Sequence, residues 1–402
     1  MSRAAISAHL RQIGIGYGSP TLQECVINSI QKHSALKDLM TDLDVLLFDA
    51  HDTKIAESLL KRRVNSLTLF EVSQPFSKKM KTFASSASKS GAGGAPKGVA
   101  AYRSSLHDLL SREECSTFVK LLEEKRGIEK KPHIIRKRED SNAADQSPSG
   151  ARGPVIVSTL PALSQQQALI KTLREHLIEH VCFATRNVDT IFQFGDTRLI
   201  TFLPVGLFGQ VICSAPNYAN RLEFMTRVQK HSSAVLNALF KLDVLNDGNG
   251  FSSADFAPGI LAKEETESRA KKFLEAGFPS DLTYGLSFTP RRSIQLGDVA
   301  ISTHSAVKEE KNALLKFVFW MEETGKLKKK QKLKDVLRDW FPGEKPKTEC
   351  EVGSLTAKDF VVLFAVAMRN IQAEKSSSAF YESYKKFEAI FLPEKKEEEY
   401  FD

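Results

Sequence analysis

Six lysines, Lys326, Lys328, Lys329, Lys330, Lys332 and Lys334, fall within residues 326–334. An ammonium group binds phosphate oxygens as a compact point charge, so a run of them offers an RNA backbone several contacts that do not depend on base sequence. Trp320 and Trp340 bracket the run. Rings anchored in packed structure at both ends lower the entropy that the charges lose on binding. Arg291 and Arg292, at a predicted turn, form a second bank. Arg62 with Arg63, Lys78 to Lys81, and Lys125 to Arg138 add further clusters. The bland reading of each is a solvated face, which is what charge runs usually are.

A second chemistry is written in His176-Leu177-Ile178-Glu179-His180. On a helix, histidines at i and i+4 share a face and can share a metal, and a glutamate beside them can activate metal-bound water. The segment resembles the HxxEH signature of inverzincin metallopeptidases. That resemblance implies Glu179 as base and His176 and His180 as zinc ligands. It covers about ten residues. The approach, Thr172-Leu173-Arg174-Glu175, lacks the family's glycine, and Asp255, Glu264 and Glu265 are only candidates for a third ligand. The competing reading is a helix with Leu169, Leu173 and Leu177 packed inward and the His and Glu side chains in water. It is preferred, and no metal ligand, cofactor or catalytic residue is assigned.

Two other patterns fail on their chemistry. Aligning Gly250 with the invariant glycine of a calcium loop puts Leu245, Ser252 and Phe256 where the loop needs a ligand, an apolar residue and a ligand. LNDGNGFSSADF is therefore a turn. Gly14-Ile15-Gly16-Tyr17-Gly18 precedes a helix, but it has no expected strand before it and no GxxxxGK[ST]. The string Gly-x-Ser-x-Gly does not occur.

The elements that must carry these groups follow from the length. A chain of 402 residues calls for two or three cores. Its net charge of +8 favours an anionic partner without demanding one. Five widely spaced cysteines without a CxxC read as reduced thiols in cytoplasm or nucleus. Met1 to Leu10 has no signal-peptide core, and the longest apolar run, Leu199 to Cys213, is too short for a bilayer span.

Residues 1–75 read as short helices, one opening at Ser19-Pro20, a good cap and first-turn pair. Residues 84–98 read as a loop, and 125–153 as a basic, flexible linker. Apolar spacing predicts helices over 164–183, 220–240 and 263–278, and around Val307 to Met321. A central helix follows from Phe360 to Met368. Sections 196–215 and 281–303 read as minor strands or irregular chain.

The expected fold is mainly α: a helical lobe over 1–125, a linker over 126–153, a second helical lobe over 154–392 and an acidic tail over 393–402. The last helix carries Phe380, Tyr384, Phe387 and Phe391 on one stripe after a serine-rich hinge, and is read as a contact between copies.

In size, helical two-unit plan, modest basicity, reduced cysteines and projecting C-terminal helix, the chain resembles nucleocapsid proteins of negative-strand RNA viruses. The resemblance is one of organisation, so no family residue is carried over. It implies a non-enzymatic, homo-oligomeric protein that coats single-stranded RNA and, if viral, sits in the virion. A helical adaptor with a nuclear-import linker is the second reading, and the zinc peptidase the third.

Overall fold

The computed structural model describes residues 16–36, 39–89, 98–106, 112–128, 153–159, 191–215, 217–218, 220–225, 233, 236–237, 239–257, 267–291, 293–296, 299–302, 308–328, 330–343, 349–352 and 357–391. Its centre is a seven-stranded sheet. In chain order the strands are β2 (Asp44–Phe48), β3 (Ser66–Phe70), β4 (Val99–Tyr102), β5 (Val155–Thr159), β6 (Arg198–Pro204), β7 (Phe240–Val244) and β9 (Thr283–Pro290). Across the sheet they run β4-β3-β2-β5-β6-β9-β7. The pairs β4–β3, β3–β2, β2–β5 and β5–β6 are parallel, and β9 is antiparallel to both β6 and β7.

This corrects the mainly α expectation. The sheet draws β2, β3 and β4 from the segment read as a helical lobe, and its other four strands from the segment after residue 153. The strands DVLLF and VIVST are short apolar-rich runs without alternation, and SLTLF alternates over only four residues. A strand covered on both faces has that composition, and over five residues it is indistinguishable from a piece of buried helix. The sections read as minor strands hold two of the longer ones, β6 and β9.

Both faces of the sheet are filled. Val45, Leu47, Leu67, Leu69, Val155, Val157, Ile200 and Phe202 face one way into a single core. Leu22, Val26 and Ile30 of α1 (Pro20–Gln31), Ile55 and Leu59 of α2 (Lys54–Lys61) and Met80 of α3 (Gln74–Lys89) complete it. On the alternate positions Phe48 stacks on Phe70 at 4.4 Å, and Phe118 of α4 (Arg112–Lys120) closes on Phe70 at 5.3 Å.

Helix α1 starts where the sequence places it. Ser19 is extended, and its hydroxyl accepts from the Leu22 N–H at 3.2 Å with Pro20 in the first turn. Ala84 to Lys89, read as the start of a loop, are instead the end of α3. The hydroxyls of Ser85, Ser86 and Ser88 donate to the carbonyls of Lys81, Thr82 and Ala84, so small polar residues stay helical by bonding back one turn. Arg126, counted with the basic linker, turns inward. It donates to Thr68 Oγ1 and the Gly98 carbonyl, each at 2.8 Å, and to the Leu67 carbonyl at 3.3 Å.

The chain divides into two compact units. The first comprises residues 1–177, 189–209 and 240–290, and holds the sheet. A two-residue strand β1 (Gly16–Tyr17) pairs there with β8 (Phe256–Ala257), and α6 (Glu267–Glu275) precedes β9. Helix α5 (Val205–Ile212) leaves β6 at the boundary.

The second unit comprises residues 178–188, 210–239 and 291–402. It contains the hairpin β10 (Ser293–Leu296) with β11 (Val299–Ser302), and helices α7 (Lys308–Lys326), α8 (Leu333–Trp340), α9 (Ala357–Asn370) and α10 (Ser378–Phe391). Its core is aromatic. Trp320 is buried and meets Trp340 edge to face at 5.4 Å, while Phe317 meets Phe364 at 5.1 Å. Among the described residues no helix is long and apolar enough to cross a membrane.

Candidate functional site

Strand order reverses between β2 and β5: from β2 the chain builds outward through β3 to β4, and from β5 outward through β6. In open parallel sheets, the crevice outside the carboxyl ends of the strands at such a reversal is where ligands bind. Here the ends of β2, β3 and β5 deliver Asp49, Glu71 and Thr159 to that place.

Asp49 leaves β2 in the left-handed region, at φ 58°. Its Oδ2 accepts from Ser158 Oγ and the Thr159 N–H, each at 2.8 Å, and from Thr159 Oγ1 at 3.2 Å. The carboxyl therefore ties the end of β2 to the end of β5 across the reversal point. Burial outweighs these donors and pushes Asp49 up to about 7. The chain then turns tightly, with the His51 N–H donating to the Asp49 carbonyl at 2.8 Å. Gly16 packs on this turn so closely that a Cβ there would lie 2.1 Å from the His51 Cβ. Only glycine permits that approach. Tyr17, beside it, donates its hydroxyl to the Phe48 carbonyl at 3.2 Å. Burial, then Asp49 and then Glu71, raise the phenol well above its ordinary range.

Glu71 follows β3 and is 2 % exposed. Its Oε1 accepts from the Ser73 N–H at 2.8 Å. Its Oε2 and the Ser73 hydroxyl are buried without a protein partner. Burial, partly offset by the Ser73 N–H and reinforced by Asp49, lifts Glu71 to about 7. His51 stands edge to face with Phe76 at 4.0 Å. Burial lowers its pKa, and its Nδ1 is buried without a partner.

This arrangement is poor for phosphate. In the turn Asp49-Ala50-His51-Asp52-Thr53 the Ala50 and His51 N–H groups are already taken, by the Phe70 carbonyl at 3.3 Å and the Asp49 carbonyl at 2.8 Å. The Lys54 N–H at the start of α2 already donates to Asp52 Oδ1 at 3.0 Å. Two carboxyls, Asp49 and Glu71, directly follow the carboxyl ends of β2 and β3. A hydroxyl-bearing ligand without phosphate fits that chemistry, because the free oxygen of Glu71 is an acceptor.

The residues singled out in the sequence lie in the other unit. Lys326 pairs with Glu323. Lys332 and Lys334 converge on Glu349 at 3.7 and 2.5 Å. Lys328 and Lys330 are exposed, while Lys329 lies outside the described residues. Arg291 is exposed and donates from Nε to the Asn237 carbonyl at 2.8 Å, and Arg292 lies outside the described residues. Phe380, Tyr384 and Phe387 are buried within the same chain, each against Phe319 at 5.3 to 5.5 Å. Phe391 ends α10. His176, Glu179 and His180 fall outside the described residues, as do residues 129–152 of the linker.

Sequence reasoning missed Asp49, Glu71, Ser158 and Thr159. A signal was present: VLLFD and LTLFE are matching apolar runs that each end in an acid. They stand roughly 20 residues apart, the spacing of a strand–helix–strand unit whose second strand ends in an acidic residue.

No protein-family model matches the chain, and no curated protein matches it. Among solved structures it is similar to the 23S rRNA methyltransferase ErmE, with 11% identity, a TM-score of 0.38, and coverage of 85% of this chain and 96% of that one. The expectation of a non-enzymatic, nucleocapsid-like protein that packages RNA is corrected together with the helical plan that carried it. In place of two helical lobes, the chain has a first unit built on a seven-stranded mixed sheet whose strand order reverses between β2 and β5.

Proposed function

We propose that the first unit binds a nucleoside-type small molecule without phosphate, seated at the carboxyl ends of β2, β3 and β5, as an enzyme of this architecture would hold its substrate or cofactor. The observation that carries the reading is Glu71. It is a buried carboxyl next to the reversal point with one oxygen unpaired. Leaving such an oxygen without a partner costs about 1–3 kcal/mol, and a ligand hydroxyl recovers that cost. A ribose edge presents two adjacent hydroxyls, which matches one acceptor oxygen beside the Ser73 hydroxyl. The occupied amides of Ala50, His51 and Lys54 argue against nucleotides.

The test is thermal denaturation of the full chain with adenosine, guanosine, cytidine and uridine, each compared with its 5′-triphosphate and its 2′,3′-dideoxy form. At least one nucleoside should raise Tm more than its triphosphate, and its dideoxy form should have lost the effect. Glu71→Gln keeps the shape but replaces half of the acceptor by a donor, and should weaken binding about 10-fold or more. Equal stabilisation by nucleoside and dideoxynucleoside, or none by any nucleoside, sinks the reading.

A further inference from the structure

The turn between α7 and α8 is held from several sides. Trp320 near the end of α7 and Trp340 at the end of α8 meet edge to face. The Gln331 N–H donates to the Lys328 carbonyl at 3.1 Å. Lys332 and Glu351 form a β-bridge, flanked by Leu333 N–H to the Cys350 carbonyl at 3.0 Å and Val352 N–H to the Gln331 carbonyl at 2.8 Å. Leu333, Val336 and Val352 are buried beneath it. The backbone from Gln331 to Leu333 is thus held on both sides, while the Lys328 and Lys330 side chains are exposed and make no ion pair among the described residues.

Among the described residues the nearby carboxylates that form ion pairs are engaged by other cations, including Asp335 by Arg338. Glu323 pairs with Lys326, and Glu349, an exposed carboxylate, takes both Lys332 and Lys334. Exposed pairs of this kind contribute little stability, so a phosphate can replace the carboxylate at small cost. From this geometry we infer that the α7–α8 turn is a contact for the phosphate backbone of single-stranded RNA, made first by Lys328 and Lys330 and widened by Lys332 and Lys334. The inference stands on the second unit alone and is independent of the nucleoside site. Several ammonium groups presented in water beside a held backbone segment suit a polyanion better than a small ligand, which would need a cavity. Lysine contacts to phosphates carry no base information, so binding through them is tolerant of sequence.

The experiment is fluorescence anisotropy of the full chain with two fluorescein-labelled RNAs of unrelated sequence, titrated across a salt series. Two phosphate contacts contribute a slope of about −1.4 in log K against log salt on a single strand. Lys328→Gln with Lys330→Gln should therefore weaken both RNAs alike and flatten the slope by about that amount. Lys328→Arg with Lys330→Arg should retain the slope. Lys241→Gln with Lys271→Gln removes the same charge from residues paired with Asp243 and Glu275, and should leave binding unchanged. The inference is overturned if the wild-type chain binds neither RNA, if the Gln variant keeps affinity and slope with its circular dichroism unchanged, or if both Gln pairs weaken binding equally. Binding to phosphatidylserine vesicles with none to RNA overturns it in favour of a membrane surface.

Discussion

The Asp49 carboxyl accepts from both the backbone N–H and the hydroxyl of Thr159, at 2.8 and 3.2 Å, and so joins two strands at the point where the order of the sheet reverses. The chain holds a non-glycine residue at φ 58° to make this contact. Left-handed backbone costs an L-residue about 1–2 kcal/mol, which is tolerated least badly by Asp and Asn.

Replacing Asp49 by alanine leaves the Thr159 N–H and the Ser158 hydroxyl without their acceptor. A loss of about 1–3 kcal/mol is expected in urea denaturation. Asp49→Asn keeps an acceptor oxygen and tolerates the same backbone, so it should lose less than the alanine variant. Equal stability of the alanine variant and the wild type would show that the tie carries no weight.

Asp49 and Glu71 are both raised to about 7. Between about pH 4 and pH 7 the folded chain therefore holds protons that the unfolded chain has released. Their contribution to stability is complete below the unfolded values and is lost as pH rises through about 7. His51, lowered by burial, acts the other way below about pH 6.5, where the unfolded chain takes up the proton first. The informative comparison is therefore the wild type against Asp49→Asn with Glu71→Gln, since both retain His51. The variant should show a smaller fall in urea midpoint between about pH 5 and pH 8. An identical fall in both chains would rule the two carboxyls out as its source.

Gly16→Ala places a methyl group 2.1 Å from the His51 Cβ and 3.0 Å from the Asp49 carbonyl oxygen. Neither is the free end of a flexible side chain, so β1 or the turn after β2 must move. Overpacking of this kind costs about 1–3 kcal/mol. Thermal denaturation of the variant should show the loss. An unchanged Tm would mean that the approach of β1 is looser than the geometry states.

Phe319 of α7 is the common neighbour of Phe380, Tyr384 and Phe387 on α10. Truncating it to alanine removes one partner from all three rings, with an expected loss of about 3–5 kcal/mol. Limited proteolysis should then cut first near Ser376 to Ser378, the segment entering α10. If cleavage instead keeps the wild-type pattern and Tm is unchanged, α10 is held by other contacts.

What the sequence determined by itself is local. The cap at Ser19 with Pro20, the helix from Lys54, the apolar helix α9 and the aromatic stripe of α10 all follow from spacing and capping within a turn or two of each residue. The turn at Leu245 to Phe256 was also legible, because Asn246 and Asp247 adopt the left-handed backbone that these residue types tolerate. The sheet was not. β2 and β5 are covered on both faces and lack the alternation by which a strand is recognised, that of β3 runs over only four residues, and the partners lie as far off as Val45 from Val155. The proposed ligand site depends on that pairing. The acids ending VLLFD and LTLFE stand out as a pair in the chain, but Asp49, Glu71 and Thr159 come together only when parallel strands, joined through long crossovers, bring their carboxyl ends side by side. The same limit applies to the aromatic stripe: spacing showed that Phe380, Tyr384 and Phe387 had to be covered, and only the tertiary structure decided that Phe319 of the same chain covers them.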